Sequence, residues 1–230
     1  MTVSQGPDTW SGAMTTQTKQ PGHQPGARKF FVMQSDDRGG GKGHGVKLVN
    51  EDALKYPGLI VFGKPVLQSP GFEYFTEKPR LIHDKQEGRL PRDLESYGGY
   101  WLVSDRMRQV LESVDAAAFA FVECDYALSD GSIGPRYYLC DIVRVLDALD
   151  EQASTLRVRF EKDYDTGEDV KIRSLLGPVK LVFNDEIVGS AHVFKQVCLS
   201  IGAGAICDEI LRQACKDAGL SGIQFQDFNS

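Results

Sequence analysis

The chain has 230 residues, of which 41% are hydrophobic and 25% are charged, so it can bury an ordinary core in one large domain or two small ones. Its formal net charge of -6 argues against a surface built mainly for phosphate contacts with nucleic acid and suits a basic protein partner. No apolar run reaches the roughly 20 residues that cross a bilayer, and the amino terminus lacks the basic and apolar regions of a secretory signal.

The first part of the chain divides into a tail and a lobe. Residues 1–28 are rich in Gln, Thr, Gly and Pro and lack a periodic apolar pattern, which predicts a disordered tail. The sequence leaves open whether Met1 or Met14 is the natural start. Residues 29–99 are predicted to form a lobe of strands and loops, with strands at 30–33, 46–49 and 59–62 and an irregular segment over 68–99.

Two later segments, 101–122 and 205–225, follow one pattern: an apolar lead-in, a polar start signal, a short amphipathic helix and a return strand. In both, apolar residues fall two and six positions after an Asp. Ser104 and Asp208 are predicted helix N-caps, and Gly219 is a predicted left-handed stop. The residues that we expect to be buried in these helices are Met107, Leu111, Ile210 and Leu211.

The region between the two segments is predicted to be strand-rich. We expect one hairpin from 119–124 and 136–140, a helix or turn segment over 142–149, and a second hairpin from 156–161 and 170–173. Further strands are expected at 179–183 and 193–194. Residues 100–230 are therefore predicted to form a C-terminal domain. The fold class is α+β, with mainly antiparallel sheets, a few short packed helices and hairpins in place of β-α-β units.

The residue patterns that could support catalysis or metal binding are incomplete. The glycine-rich stretch 39–45 lacks the Ser or Thr that follows the Lys of a phosphate-binding loop. His192, Cys198, Cys207 and Cys215 do not have the spacing of zinc ligands, and the five cysteines in all indicate free thiols in a cytoplasmic protein. No nucleophile elbow is present. We therefore predict no catalytic residue, cofactor or metal.

The segment 161–169 holds five carboxylates and one Lys at the predicted tip of the second hairpin. Such a segment is either a solvated turn or an acidic prong with a central aromatic residue, suited to a basic cleft on another protein. On the second interpretation, the candidate contact residues are Asp163, Tyr164, Asp165, Glu168 and Asp169.

The order and spacing of several motifs resemble a known family. They are YWLVSD (100–105), YYLCD (137–141), LDALD (146–150), Ser154, AHVFK (191–195) and GLSGIQF (219–225), with looser matches at FFVM (30–33) and GKP (63–65). Together they resemble the bacterial immunity proteins numbered family eleven in polymorphic-toxin systems. Lys195 and Cys207 depart from the pattern, in which Arg and Ser are expected.

The resemblance implies a non-enzymatic antidote that binds a cognate toxin and occludes its active or substrate site. The shared motifs are expected to define the fold, with toxin contacts on variable surface; the toxin's activity stays open. Two other functions remain. One is a small hydrolase or transferase with a site in the 68–99 segment, where His83, Asp84 and Tyr97 could meet. The other is a general interaction module in a larger assembly.

Overall fold

Short strands dominate the part of the chain that the structure describes, which is residue 1 and residues 28–38, 43–54, 71–162, 167–201 and 203–228 of a computed structural model. The strands are β1 (Phe30–Ser35), β2 (Val46–Leu48), β3 (Arg80–His83), β4 (Leu94–Tyr97), β5 (Tyr100–Ser104), β6 (Phe119–Glu123), β7 (Asp125–Ala127), β8 (Tyr137–Ile142), β9 (Val145–Leu146), β10 (Arg157–Lys162), β11 (Asp169–Ser174), β12 (Val193–Gln196), β13 (Leu199–Ser200), β14 (Ala205–Asp208) and β15 (Ile223–Gln226). The helices are α1 (Asp105–Asp115), α2 (Asp185–Val188) and α3 (Glu209–Asp217), with single 3-10 turns at Glu51–Ala53 and Ala116–Ala118. The predicted α+β class is confirmed.

The strands form four sheets in the described residues. Their orders are β15-β1-β14-β12-β9, β4-β5-β8-β6, β2-β3-β7 and β10-β11-β13. Strand β1 pairs with β14 and β15, and β4 pairs with β5. The segment predicted as an N-terminal lobe thus supplies strands to both of the larger sheets.

Each of the two repeated segments is a split β-α-β unit. Strands β5 and β6, on either side of α1, both pair antiparallel with β8, and β14 and β15, on either side of α3, both pair antiparallel with β1. The two outer strands of a unit are therefore parallel to each other, and the helix is the crossover between them. The prediction of hairpins in place of β-α-β units is wrong here, because the strands before and after each helix are parallel and a third strand lies between them.

The main core lies where the two units meet. Helices α1 and α3 pack on each other and against residues that face inward from both larger sheets, such as Met33, Trp101 and Tyr138. Alternate residues of the same strands face the other way. Phe30 and Val32 enter a second core with Phe183 and Phe194, and Leu102 and Leu139 enter a third with residues of the β2-β3-β7 sheet.

The helix caps explain which helical residues are buried. The Ser104 hydroxyl accepts a hydrogen bond from the Met107 amide (3.2 Å), and Asp208 Oδ1 accepts one from the Leu211 amide (3.1 Å), so both predicted N-caps are confirmed. Ser104 is therefore equivalent to Asp208, and the buried positions lie three and seven residues after the cap. They are Met107 and Leu111 in α1, and Leu211 and Cys215 in α3.

The predicted burial of Ile210 is wrong, since this side chain is 58% exposed. The sequence pattern matched Asp105 with Asp208, whereas in the structure Ser104 is the residue equivalent to Asp208. The predicted match is therefore wrong by one residue. A shift of one residue turns a side chain by about 100° around a helix, from the core to solvent. Gly219 has the left-handed conformation (φ 62°) that was predicted for the stop after α3.

Of the other predicted secondary-structure elements, some are confirmed and some are wrong. Strands β1, β2, β10 and β11 and the antiparallel pairing of β6 with β8 are confirmed. The helix or turn segment over 142–149 is wrong, because this stretch ends β8 and forms β9, and 179–183 makes only isolated bridges. The irregular segment 68–99 contains β3 and β4. The predicted strand at 59–62 and the predicted tail up to residue 27, except residue 1, lie outside the described residues.

Candidate partner-binding surfaces

The hairpin of β10 and β11 is the most exposed pair of strands. All six residues of β10 are exposed, including the apolar Val158 (41%) and Phe160 (67%). Val158 lies opposite Arg173 and Phe160 opposite Lys171, so these four side chains share one face of the hairpin. An alternating strand normally buries its apolar face, whereas here both faces of β10 contact solvent.

The base of this hairpin is anchored by ion pairs. Glu151 accepts hydrogen bonds from Lys171 Nζ (2.5 Å) and Arg173 Nε (2.7 Å), which hold the pKa of the Glu151 carboxyl below its usual value. The buried Arg173 also donates to Asp147 (3.2 Å) and to the Val197 carbonyl (2.6 Å). The strand β11 is thus fixed to the body of the protein, and β10 extends from it at the surface.

The tip of the hairpin holds the predicted contact residues. Glu168 and Asp169 are exposed, and Asp169 forms an ion pair with Lys162 across the two strands (2.8 Å). Asp163, Tyr164 and Asp165 lie outside the described residues. The two described members of the candidate set are therefore at the surface, and they stay candidates for partner contact.

A second surface, a groove of about 530 Å³, was not found from the sequence. It is lined by residues of β3 and β7 and by the loop 131–136, and three of its apolar side chains are exposed: Val49 (50%), Ile82 (42%) and Ile133 (93%). The loop is held in shape by backbone hydrogen bonds from Leu128 to Ser132 and from Gly134 to Tyr126, both 2.8 Å. The signal that could have indicated it is an isoleucine within a Gly- and Ser-rich turn.

The groove also has a polar residue at its wall. Tyr126 is buried, and its hydroxyl has no hydrogen-bond partner among the described residues. Burial raises the pKa of Tyr126 to about 12, so the hydroxyl stays protonated at neutral pH. Around the rim, Lys78 pairs with Asp125 (2.7 Å) and Arg136 with Glu123 (3.2 Å). The rim charges therefore largely neutralise one another, and the groove is mainly apolar.

The residues proposed for a hydrolase or transferase site make structural contacts. His83 is buried with Nε2 3.2 Å from the Gly88 carbonyl, Asp84 bonds Lys47 and the Gln86 amide, and the Tyr97 hydroxyl accepts from the Leu48 amide (2.7 Å). His83 and Tyr97 belong to different sheets.

In the residues that the structure describes, no three His, Cys, Asp or Glu side chains form a metal-binding group. None of the helices in this part of the chain has the length and apolar character needed to span a membrane.

Several family-like motifs meet in the folded chain. Lys195 of AHVFK bonds Asp141 of YYLCD, and the His192 ring lies 2.8 Å from Asp208, which also binds Arg28. The Ser154 hydroxyl accepts from the Val182 amide (2.9 Å). These residues join strands and loops inside the protein.

A comparison with known protein families gives a match over most of the chain. Residues 29–230 match the model of the immunity protein family Imm11. The chain belongs to this family. The match extends the resemblance, first seen over 100–225, to nearly the whole chain, including β1 at the centre of one split unit. No curated protein matches this Imm11 chain.

Proposed function

We propose that this Imm11 chain is a non-enzymatic antidote, which binds a cognate bacterial toxin in the cytoplasm and occludes the toxin's active or substrate site. The observation that carries the proposal is the family match over residues 29–230. The partner is a toxin domain at the C-terminus of a secreted effector used in competition between bacteria. No cofactor, nucleic acid or membrane takes part.

The surface that we assign to the toxin is the acidic tip of the β10–β11 hairpin, with Asp163, Tyr164, Asp165, Glu168 and Asp169. Two features of the described residues support the choice. The strand leading to the tip is exposed along its whole length, and Glu168 and Asp169 themselves are exposed. An anchored arm of this kind can enter a cleft without rearranging the body of the inhibitor.

The charge of the tip suits a basic cleft. Five carboxylates lie within 161–169, and toxins that act on phosphate-containing substrates need cationic active sites. Opposite charges increase the association rate of two proteins, and this increase falls with ionic strength. Fast capture is what an antidote requires, because the toxin acts catalytically once it is free. An aromatic residue at the centre of the tip would supply a buried anchor that slows dissociation.

The first experiment tests the function itself. The C-terminal domain encoded by the adjacent gene is expressed in a heterologous host with and without this chain, and the two proteins are purified together. We expect rescue of growth and co-purification of a stoichiometric complex. Toxicity that persists despite equal levels of folded chain, with no complex, would contradict the proposal.

The second experiment locates the contact. The triple substitution Asp163→Lys, Tyr164→Ala and Asp165→Lys is compared with a control, Glu73→Lys with Asp217→Lys, which makes the same change in net charge at exposed positions elsewhere. We expect the triple variant alone to bind at least ~10-fold more weakly and to lose most of the salt dependence of association. Ile133→Asp tests the groove; weakened binding there, with the triple variant unaffected, would transfer the contact to the groove.

A further inference from the structure

Strand β10 is an edge strand that is neither bulged nor covered in the described part of the chain, so that its charged side chains are the protection it has. Among the described residues it pairs with β11 alone, and it ends the order β10-β11-β13. Natural edge strands are typically very short, bulged or covered, because an exposed ladder of backbone N–H and C=O groups pairs readily with another strand. Here the edge runs for six residues and carries two exposed apolar side chains, Val158 and Phe160.

The charges next to Phe160 are self-complementary. Arg159 and Glu161 precede and follow it, both on the opposite face of the strand, and they form an ion pair within the chain (Nε to Oε1, 2.9 Å) at 50% and 45% exposure. In an antiparallel pair, directly opposite residues lie on the same face of the sheet. A second β10 strand centred on Phe160 therefore places each Arg159 opposite a Glu161 of the other copy.

From this geometry we infer that two copies of the chain associate through antiparallel pairing of their β10 strands about Phe160. The two Phe160 rings face each other at the two-fold axis, and each Val158 lies along the stem of a Lys162 from the other copy. The two Arg159 and two Glu161 side chains form an alternating four-charge ring on the opposite face. The two three-stranded sheets become one continuous six-stranded sheet.

The charges also exclude the neighbouring registers. Centring the pair on Arg159 puts two arginines opposite each other, and centring it on Glu161 puts two glutamates together. Centring it on Val158 places Arg157 opposite Arg159 on both sides of the axis. Like charges directly opposite destabilise a strand pair, so the Phe160-centred register is the one that the sequence favours. The interface is isologous and closes on itself, so it gives a dimer and not a fibre.

This inference does not depend on the proposed function. The dimer uses the edge of β10, whereas the proposed toxin contact uses the hairpin tip. Because exposed ion pairs contribute little individually and the contact is one strand wide, we expect a modest dimer, with dissociation in the micromolar range.

The test measures the mass of the full chain by sedimentation from about 1 to 500 µM, a range that spans micromolar dissociation constants. We expect a concentration-dependent dimer in the parent. Arg159→Glu and Glu161→Arg should each weaken it about tenfold, since each places like charges opposite each other twice. The double swap, Arg159→Glu with Glu161→Arg, restores opposite charges and should return the dissociation constant to near the parent value. All three changes are at exposed positions, and unchanged circular dichroism confirms that the variants fold.

Disulfide trapping tests the register. Opposite Cα atoms in an antiparallel pair are about 4.5–5.5 Å apart, within disulfide reach, so Phe160→Cys should form a disulfide dimer under mild oxidation. The two copies of residue 158 would be offset by four residues, roughly 13 Å, so Val158→Cys should not. The parent, with its own five cysteines, gives the background.

Three results would overturn the inference. One is a parent that stays monomeric at all concentrations; if Phe160→Ala then weakened capture of the toxin domain, the edge would belong to the toxin. Another is a double charge swap that fails to recover the dimer lost in the single variants. The third is equal crosslinking at positions 158 and 160.

Discussion

Lys195 Nζ lies 2.6 Å from Asp141 Oδ1, and the two side chains are only 10% and 3% exposed. The pair joins β12 in the five-stranded sheet to β8 in the four-stranded sheet. Asp141 Oδ2 also accepts a hydrogen bond from the Gly71 amide (3.1 Å). Lys195 and Asp141, which are 54 residues apart in the sequence, therefore form an ion pair between the two larger sheets.

Replacing Lys195 with Met should lower the free energy of unfolding by about 3–5 kcal/mol, because the buried Asp141 carboxylate would lose its ion pair with Lys195. Lys195→Arg keeps the charge and should lose less than half as much. Exposed Lys85→Met is the control, with an expected loss below about 0.5 kcal/mol. Urea denaturation measures all three. Equal losses for the Met and Arg variants would show that packing, and not charge, matters at this position.

Adjacent residues of α3 provide a second test. Leu211 is fully buried, whereas Ile210 is 58% exposed. Leu211→Ala should cost about 2–5 kcal/mol of stability through lost apolar contacts and an unfilled cavity, and Ile210→Ala should cost less than about 1 kcal/mol. The midpoints of denaturant unfolding give both losses of stability, provided that the dependence of the free energy of unfolding on denaturant concentration has the same slope in each variant. A larger loss for Ile210 would mean that the helix is turned by one residue relative to the structure.

Glu95 should make stability depend on pH in the acid range. Its carboxylate, 3% exposed, accepts hydrogen bonds from Arg92 Nε (2.9 Å) and from Arg89. Burial acts to raise its pKa, but the hydrogen bonds from Arg92 and Arg89 outweigh burial and lower it to about 2. Because the folded pKa is below the unfolded one, this stabilisation is present above about pH 4.5 and is lost as the pH falls towards 2.

The check for Glu95 is the variant Glu95→Gln, which carries no titrating group at this site. At pH 7 it should be less stable than the parent by on the order of 2 kcal/mol, allowing for solvent screening of the partly exposed guanidinium groups. The difference should shrink between pH 4.5 and 2, where the parent becomes protonated. Comparing the two proteins cancels the contribution of the other carboxylates. A difference that is constant over this range would rule out the ion pairs as its cause.

Arg28 should set the limit for truncation. It was predicted to belong to the disordered tail, yet it bonds Asp208 (2.7 Å) and the Gly189 carbonyl (2.9 Å). Asp208 is also the cap of α3. A chain that starts at Ala27 should keep the parental melting temperature, whereas one that starts at Lys29 should lose about 1–3 kcal/mol. Thermal unfolding of the two truncations, one on each side of Arg28, decides this. A loss already at Ala27 would assign a structural role to residues 1–26.

The local features of this chain could be predicted because neighbouring residues determine them. The caps at Ser104 and Asp208 depend on a side chain and an amide three residues away. The alternation in 156–161 and 170–173 depends on the two-residue period of a strand. The family resemblance was found from the order and spacing of the motifs, which can be read from a single sequence.

Long-range contacts decided the rest. The segments 80–83 and 94–97 carry prolines and aromatics nearby and no clear period, and they become strands because β2 and β5 supply their hydrogen-bond partners. Strand β1 lies between β14 and β15, which follow roughly 170 and 190 residues later in the chain, a pairing that no local pattern encodes.

Burial was the quantity that the sequence determined least. Ile210 and Phe160 have the apolar character of core residues, and both are exposed. Apolar character favours burial, but only the position of the opposing sheet decides whether a face has anything to pack against. For α3 the sheets lie on the side of Leu211 and Cys215. For β10 the described chain covers neither face, so Val158 and Phe160 stay in contact with solvent.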